Sequence, residues 1–531
     1  MQSGNMKAPA GAGSDAARGN QLDRVRRSQG EVWDIIIVGG GATGLGTAVD
    51  AASRGYRTLL LEAGDFASGT SSKATKLVHG GVRYLAQGRI SMVREALRER
   101  DVLLRNAPHL AWPLGFVIPA YRPTDRLFYG IGLKIYDALA GGRGVGRSRL
   151  LSADETARAL PNLNRSGLRG GVLYFDGQFD DAGLALALAG TAAANGGMLL
   201  NYVGVNGFLR EGRGDGRIVG VVADDAETGE RFRLRGRCIV NATGVWVDTL
   251  RKLDRADSLA LLSPSQGTHL VLPRDFLPGE HALLVPRTED GRVLFVVPWL
   301  GRTVVGTTDI PRPDVALHAP GAAHGDRGAA VPLPDEVDYL LRTVAPYLSG
   351  KPSRGDVLSA WAGLRPLLHD HSGSSGATAG LSREHVATVS ASGLLTVTGG
   401  KWTTYRAMAE AVIDLAIAHR LLEPRACRTA NLALDGPGRV PDAAGRPLGP
   451  VFDLTEAMVR NAVRTGHALT VEDVLARRHR ALLLDARAAI DLAPRVAALI
   501  GQERGMNGDW VEGQVAAFRV EAAKYLVPAS G

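Results

Sequence analysis

Residues 34–62 read DIIIVGGGATGLGTAVDAASRGYRTLLLE. Ile35, Ile36, Ile37 and Val38 form an apolar strand, and Gly39, Gly41 and Gly44 then satisfy G-x-G-x-x-G. The small residues 44–53 predict a helix, and a second apolar strand over residues 59–61 ends on Glu62, 18 residues past Gly44. Strand, glycine turn, helix, strand and acid in this order make a complete dinucleotide-binding βαβ unit. Gly39 permits the tight turn, Gly41 lets the backbone approach a pyrophosphate, and Gly44 lets helix and strand pack closely. The free N–H groups and the positive end of the helix face the phosphates. Glu62 can accept hydrogen bonds from both ribose hydroxyls, and its charge disfavours a 2′-phosphate.

The fingerprint is shared by FAD and NAD proteins, and three further features favour FAD. No second complete fingerprint follows, because Gly142, Gly144 and Gly146 lack both a preceding strand and the right spacing. Residues 237–248, RCIVNATGVWVD, form an apolar strand running into Ala242-Thr243-Gly244, a pattern similar to the second nucleotide-contact segment of two-dinucleotide-type flavoproteins. Residues 393–409, GLLTVTGGKWTTYRAMA, predict a strand, a turn at Gly399-Gly400 and a helix beginning near Thr403. The positive end of that helix suits a flavin ring that takes up negative charge.

These segments, with several others, resemble the FAD-dependent (aerobic, respiratory) glycerol-3-phosphate dehydrogenases. The stretches that carry the resemblance are SSKATKLVHGGVRYL (71–85), EALRERDVLLRNAPHL (95–110), GLKIYDALAG (132–141), QGTHLVL (266–272), FVVPWLGRTVVGTTD (295–309), WAGLRPL (361–367), LSREH (381–385) and TGGKWTTYRAMAE (398–410). Together they are far more specific than the dinucleotide unit, and they extend the resemblance over residues 32–528. Two departures are visible: residues 311–334 make a longer Ala-, Gly- and Pro-rich loop than is usual for the family, and Lys73-Ala74-Thr75-Lys76 replaces a more serine-rich run.

The resemblance implies oxidation of sn-glycerol 3-phosphate to dihydroxyacetone phosphate, with electrons passed through FAD to a membrane quinone. An oxygen-using glycerol-3-phosphate oxidase, or an amine or amino-acid oxidase on the same fold, is the alternative. The resemblance implies an α/β fold: an FAD-binding Rossmann-like domain of the two-dinucleotide type, an interleaved α+β substrate domain, and a helical C-terminal domain. The expected boundaries are a disordered tail over residues 1–30 and an FAD-binding domain over 31–440. The substrate domain interrupts the latter at about 110–170 and 250–370, and 441–531 form the helical domain. Periodic apolar residues predict helices near 454–465, 471–477, 485–500 and 510–525.

Site residues follow from chemistry and resemblance together. The substrate phosphate calls for arginine donors, and the resemblance turns Arg83, Arg365 and Arg383 toward the substrate. Loss of the hydroxyl proton calls for a base, and a neutral histidine suits that near pH 7; His269 matches a family histidine of the active site. Lys401, at the late helix start, either stabilises charge on the flavin or binds substrate, and Tyr84 either bonds the substrate or packs. The flavin contacts expected are Gly39, Gly41, Thr43, Gly44 and Glu62, then Ser71, Ser72 and His79. Ala242, Gly244, Gly400, Trp402 and Thr403 complete them.

The 531-residue chain carries a formal charge of +8, which suits an anionic substrate and an anionic membrane surface. No nucleic-acid recognition motif or concentrated basic helix accompanies that charge, so nucleic acid is not an expected partner. The two cysteines, Cys238 and Cys427, argue against a disulfide framework, and no Cys or His pair has metal-ligand spacing. Neither an apolar run of spanning length nor an N-terminal signal segment is present, so the expectation is a cytoplasmic protein attached peripherally to the inner face of the cell membrane. A homodimer is compatible with the sequence. Residues 122–149 set Arg122, Arg126, Lys134, Arg143, Arg147 and Arg149 among Leu127, Phe128, Tyr129, Ile131, Leu133 and Ile135, either as a membrane-resting surface or as packing in the substrate domain. Residues 24–27 are a second candidate contact.

Overall fold

The strand Val32–Val38 is the axis of the first sheet, paired in parallel with Thr58–Leu61 on one side and Arg231–Asn241 on the other. Leu394–Gly399 joins Arg231–Asn241, and Met198–Leu200 joins Thr58–Leu61, again in parallel. Ile35, Ile36 and Ile37 are fully buried, as expected of a parallel sheet covered on both faces. The register sets Cys238 beside Ile35, so Cys238 is a core residue whose thiol is pushed up to about 12 by burial. The computed structural model describes residues 18–81, 88–141, 144–212, 216–313, 330–369, 385–434 and 445–528.

The helix Ala42–Ser53 is buried along residues 44–53 because its small side chains let neighbouring elements approach. A Cβ on Gly44 would fall 1.8 Å from the Gly39 carbonyl oxygen, and one on Gly46 would fall 2.8 Å from the Tyr405 ring. Gly44 therefore seats the helix on its own strand turn, and Gly46 seats it against the helix Tyr405–Ala418.

A second sheet, of ten strands among the described residues, is largely antiparallel. Its long central members are Ala111–Ala120, Gly170–Phe179, Leu262–Pro273 and Ser359–Leu368. The chain alternates between the two sheets, so strands of each come from distant parts of the sequence. Leu262–Pro273 pairs with Ser359–Leu368 over ten residue pairs, and this ladder carries His269 and Arg365.

The C-terminal segment forms the helices Glu456–Arg464, Ala486–Arg504 and Gly508–Ala523, with a π-helical turn over Asp473–Arg478. Their apolar faces share one core with the second sheet, joining Val474, Leu482 and Val496 to Phe116, Trp299 and Trp361. Ionic contacts fasten the same segment to the first sheet's loops. Arg477 and Arg478 both bond Asp65, which is fully buried and held down to about 2: burial opposes that shift, and the two guanidinium groups outweigh it.

The tail assignment for residues 1–30 is corrected from residue 18 onward. Arg18–Arg27 is a helix whose Leu22 and Val25 are buried beside Met198 and Leu200. Arg18 donates to the Asn201 carbonyl at 3.1 Å and pairs with Asp225 and Glu227. Composition suggested disorder here, and these long-range partners override it.

Candidate active site

One cavity, about 390 Å³, runs along the carboxyl ends of the first sheet's strands and under the second sheet. Its floor is the glycine turn. Gly39 adopts φ +110°, and a Cβ there would fall 2.6 Å from the Ala242 carbonyl oxygen. Gly41 precedes the helix, and the Ala42 N–H donates to Ser71 Oγ at 2.9 Å. At the end of the next strand the Glu62 carboxylate accepts from Gly40 N–H at 2.6 Å and from Gly64 N–H at 2.7 Å, which fixes it at the cavity edge. Thr43, Ala242 and Gly244 line the same end.

The segment 70–76 forms one side wall. Thr70 Oγ1 donates to the Leu364 carbonyl at 2.6 Å, and the Trp402 indole N–H donates to the Ser71 carbonyl at 2.9 Å. Ser72 faces away from the cavity, with its carbonyl accepting from Lys76 Nζ at 2.9 Å and from Arg480 at 2.8 Å. Lys76 is fully buried. It pairs with Asp181 at 2.7 Å and lies 5.0 and 5.1 Å from the Trp299 and Trp361 rings. Burial lowers its ammonium to about 7, against the pull of Asp181 and with help from Arg480.

His269 and Arg365 come from the paired strands of the second sheet. The His269 ring lies flat on Trp361, 5.3 Å between centroids and 15° between planes. Its Nε2 is 2.9 Å from Thr75 Oγ1. Burial first, then the charges of Lys76 and Arg365, hold its pKa well below the ordinary histidine value, so the ring is neutral. Arg365 borders the cavity but gives its four terminal N–H groups to protein: Gln266 O and Asp309 Oδ1 at 3.1 Å, Thr307 Oγ1 at 3.1 Å and Thr308 O at 2.9 Å. This arrangement commits those N–H groups to protein partners rather than to the phosphate donation expected from sequence.

The remaining wall is the turn Gly399-Gly400, both with positive φ, followed by Lys401, Trp402 and the helix Tyr405–Ala418. Gly400, Lys401 and Trp402 line the cavity, whereas Thr403 stands behind it, its hydroxyl accepting from the His79 N–H at 3.2 Å. Gly44 and His79 likewise support the wall rather than line it. Arg83, Tyr84 and Arg383 lie outside the described residues.

Sequence reasoning missed Thr75, Lys76, Asp181, Trp361 and Arg480. A weak signal existed, since a lysine and a threonine beside the apolar pair Leu77-Val78 are unusual in a buried run. It also missed Glu472, Glu521, Lys524 and Tyr525, which the C-terminal helices bring to the far end of the same cavity.

The residues fit a flavin dinucleotide: a turn with no room for side chains, a helix N-terminus with N–H groups on the cavity, and a carboxylate set at the strand end. The family model for FAD dependent oxidoreductases matches residues 34–406, and that for the C-terminal domain of alpha-glycerophosphate oxidase matches residues 393–509. The chain is 38% identical over 526 residues to the mitochondrial glycerol-3-phosphate dehydrogenase of Bos taurus, covering 89% of this chain and 70% of that protein. It is 40% identical over 462 residues to a mitochondrial glycerol-3-phosphate dehydrogenase of Arabidopsis thaliana, covering 81% and 71%. Among solved structures it is similar to the glycerol-3-phosphate dehydrogenase from Bacillus halodurans complexed with FAD, with TM-score 0.74, 27% identity, and coverage of 96% of this chain and 98% of that one. An L-alpha-glycerophosphate oxidase from Mycoplasma pneumoniae shares the fold at TM-score 0.55 and 18% identity.

Proposed function

The chain belongs to the FAD-dependent glycerol-3-phosphate dehydrogenases, and from that premise we propose that it oxidises sn-glycerol 3-phosphate to dihydroxyacetone phosphate and passes the electrons to a membrane quinone. The observation that carries the reading is a neutral, buried histidine set against the cavity beside an arginine, opposite the glycine turn. Bound FAD supplies the hydride acceptor. Gly39, Gly41 and the N-terminus of Ala42–Ser53 would hold its pyrophosphate, and Glu62 would hold its ribose. Lys401 and the N-terminus of Tyr405–Ala418 supply positive potential on the cavity. His269 takes the hydroxyl proton. The charge of Arg365 attracts the dianionic phosphate, and the resemblance assigns Arg83 and Arg383 to the same substrate.

Dehydrogenase rather than oxidase is supported by the higher identity to dehydrogenases. The test is the absorption spectrum of the purified yellow protein. Anaerobic glycerol 3-phosphate should bleach the flavin band, and a quinone analogue should restore it faster than oxygen does. No bleaching would remove the substrate, and stoichiometric peroxide with an idle quinone would make the protein an oxidase.

We also propose peripheral membrane attachment through the helix Asp125–Ala140. No helix among the described residues is long and apolar enough to cross a membrane. On this helix Leu133, Tyr136 and Ala140 are buried, while Leu127, Phe128, Ile131 and Ile135 are 67, 69, 56 and 48% exposed on the opposite face. Arg122, Lys134, Arg147 and Arg149 are exposed around it. An apolar helix face rimmed by basic residues suits the headgroup region, each basic residue adding about 1 kcal/mol on an anionic leaflet. The protein should float with anionic liposomes at low salt and less at high salt. Changing Leu127, Phe128 and Ile131 together to Glu should abolish flotation without loss of flavin, and undiminished flotation would move the contact elsewhere.

A further inference from the structure

We infer that Thr75 is a proton relay for His269, so that the base receives the substrate's hydroxyl proton through the threonine hydroxyl. The inference rests on the alcohol oxidation proposed above and concerns how the proton leaves.

Three observations converge. First, His269 Nδ1 is buried with no partner among the described residues, so the cavity cannot reach it. Nε2 must therefore be the accepting atom, and the ring must carry its resting proton on Nδ1. The other tautomer would place the lone pair on the sealed atom, and no proton from the cavity could reach it. The tautomer is thus assigned from the role of His269 as base, since the contact with Thr75 suits either tautomer. Second, Nε2 already has a partner, Thr75 Oγ1 at 2.9 Å, and in this tautomer the threonine hydroxyl donates to it. Both residues line the cavity. Third, neither group is placed to step aside. The ring lies flat on Trp361, and its other face meets a backbone with no room to spare: a Cβ on Gly306 would fall 2.2 Å from His269 Cδ2. Thr75 is held on both sides by one buried carboxylate, because Asp181 accepts from the Ala74 N–H at 3.0 Å and from Lys76 Nζ at 2.7 Å.

The step balances. The substrate O–H proton moves to Thr75 Oγ1 while the threonine's own proton moves to His269 Nε2. The C2 hydrogen leaves with both electrons of its bond, as hydride, which bound FAD would accept, and the C2–O bond becomes a carbonyl. Thr75 ends unchanged, His269 ends as an imidazolium, and the proton returns to solvent by the reverse relay after product leaves. Lys76 and Arg365 disfavour that imidazolium in the empty site, and the dianionic substrate offsets them.

The experiment compares Thr75→Val and Thr75→Ser in the holoenzyme by anaerobic stopped-flow bleaching with glycerol 3-phosphate. Valine matches threonine in shape and lacks the hydroxyl. It should slow flavin reduction at saturating substrate by roughly 10²-fold with KM little changed, and serine should keep most of the rate. Adding Thr75→Val to His269→Ala should cost nothing further. A wild-type proton inventory in mixed H2O and D2O should curve, as two protons in flight require. A wild-type rate in Thr75→Val, or a linear inventory, overturns the relay. If the valine protein fails to retain flavin, the inventory decides. Bleaching of the wild type is the control: its absence would fault the substrate assignment, not the relay.

Discussion

The Gly41→Val protein should purify colourless, with less than a tenth of the wild-type flavin content (about 1.4 kcal/mol per tenfold loss). Side-chain atoms added at Gly41 would enter the space where the phosphates approach. A Cβ at Gly41 itself would meet only Ser71 Oγ, at 3.0 Å, and a serine side chain can rotate away. The chain can therefore fold with valine there, and the branched methyls project where the helix N-terminus presents its N–H groups. Gly44 is the contrasting control: its 1.8 Å clash with the Gly39 backbone should disrupt the turn itself. The check is flavin absorbance per protein together with the thermal transition. Normal flavin in folded Gly41→Val would place the pyrophosphate elsewhere.

His269→Ala should slow anaerobic flavin reduction by roughly 10²–10⁴-fold, equivalent to about 3–5 kcal/mol in the barrier. The flavin should stay bound, because His269 lies on the second sheet and the nucleotide turn on the first. Added imidazole should restore part of the rate by occupying the space over Trp361. Flavin reduction at the wild-type rate in His269→Ala would remove the histidine from proton transfer, and with it the relay through Thr75.

The nucleotide half of the site was legible because it is local. Strand, turn, helix, strand and acid all fall within residues 34–62, and the close contacts that constrain Gly39 and Gly44 arise within that unit or from Ala242 and Thr243. His269 was legible as a residue type, but its setting was not. Its hydrogen-bond partner lies 194 residues away, and its stacking partner Trp361 is reached only through the strand ladder. The same holds for Lys76 with Asp181, 105 residues apart. Arg365 shows the opposite failure. The sequence marked the position, but not that the Thr307–Asp309 turn would occupy its donors. In the helix Asp125–Ala140, the apolar spacing reads alike for a core face and an exposed one, and only the fold separates buried Leu133 from exposed Ile131.

The grip of the C-terminal segment on the flavin loop has a consequence for biosynthesis. Arg477 reaches Asp65 across 412 residues, and Arg480 reaches the Ser72 carbonyl across 408. A nascent chain has displayed its whole glycine turn long before either arginine leaves the ribosome. At about 5–20 residues per second, the loop carrying Ser71 and Thr75 lacks these C-terminal fastenings for tens of seconds in a growing chain. The ribosome-bound protein therefore completes this fastening only after residues 477–480 have emerged, and a chain stalled before them would hold the loop through contacts such as those with Ala42, Leu364 and Trp402.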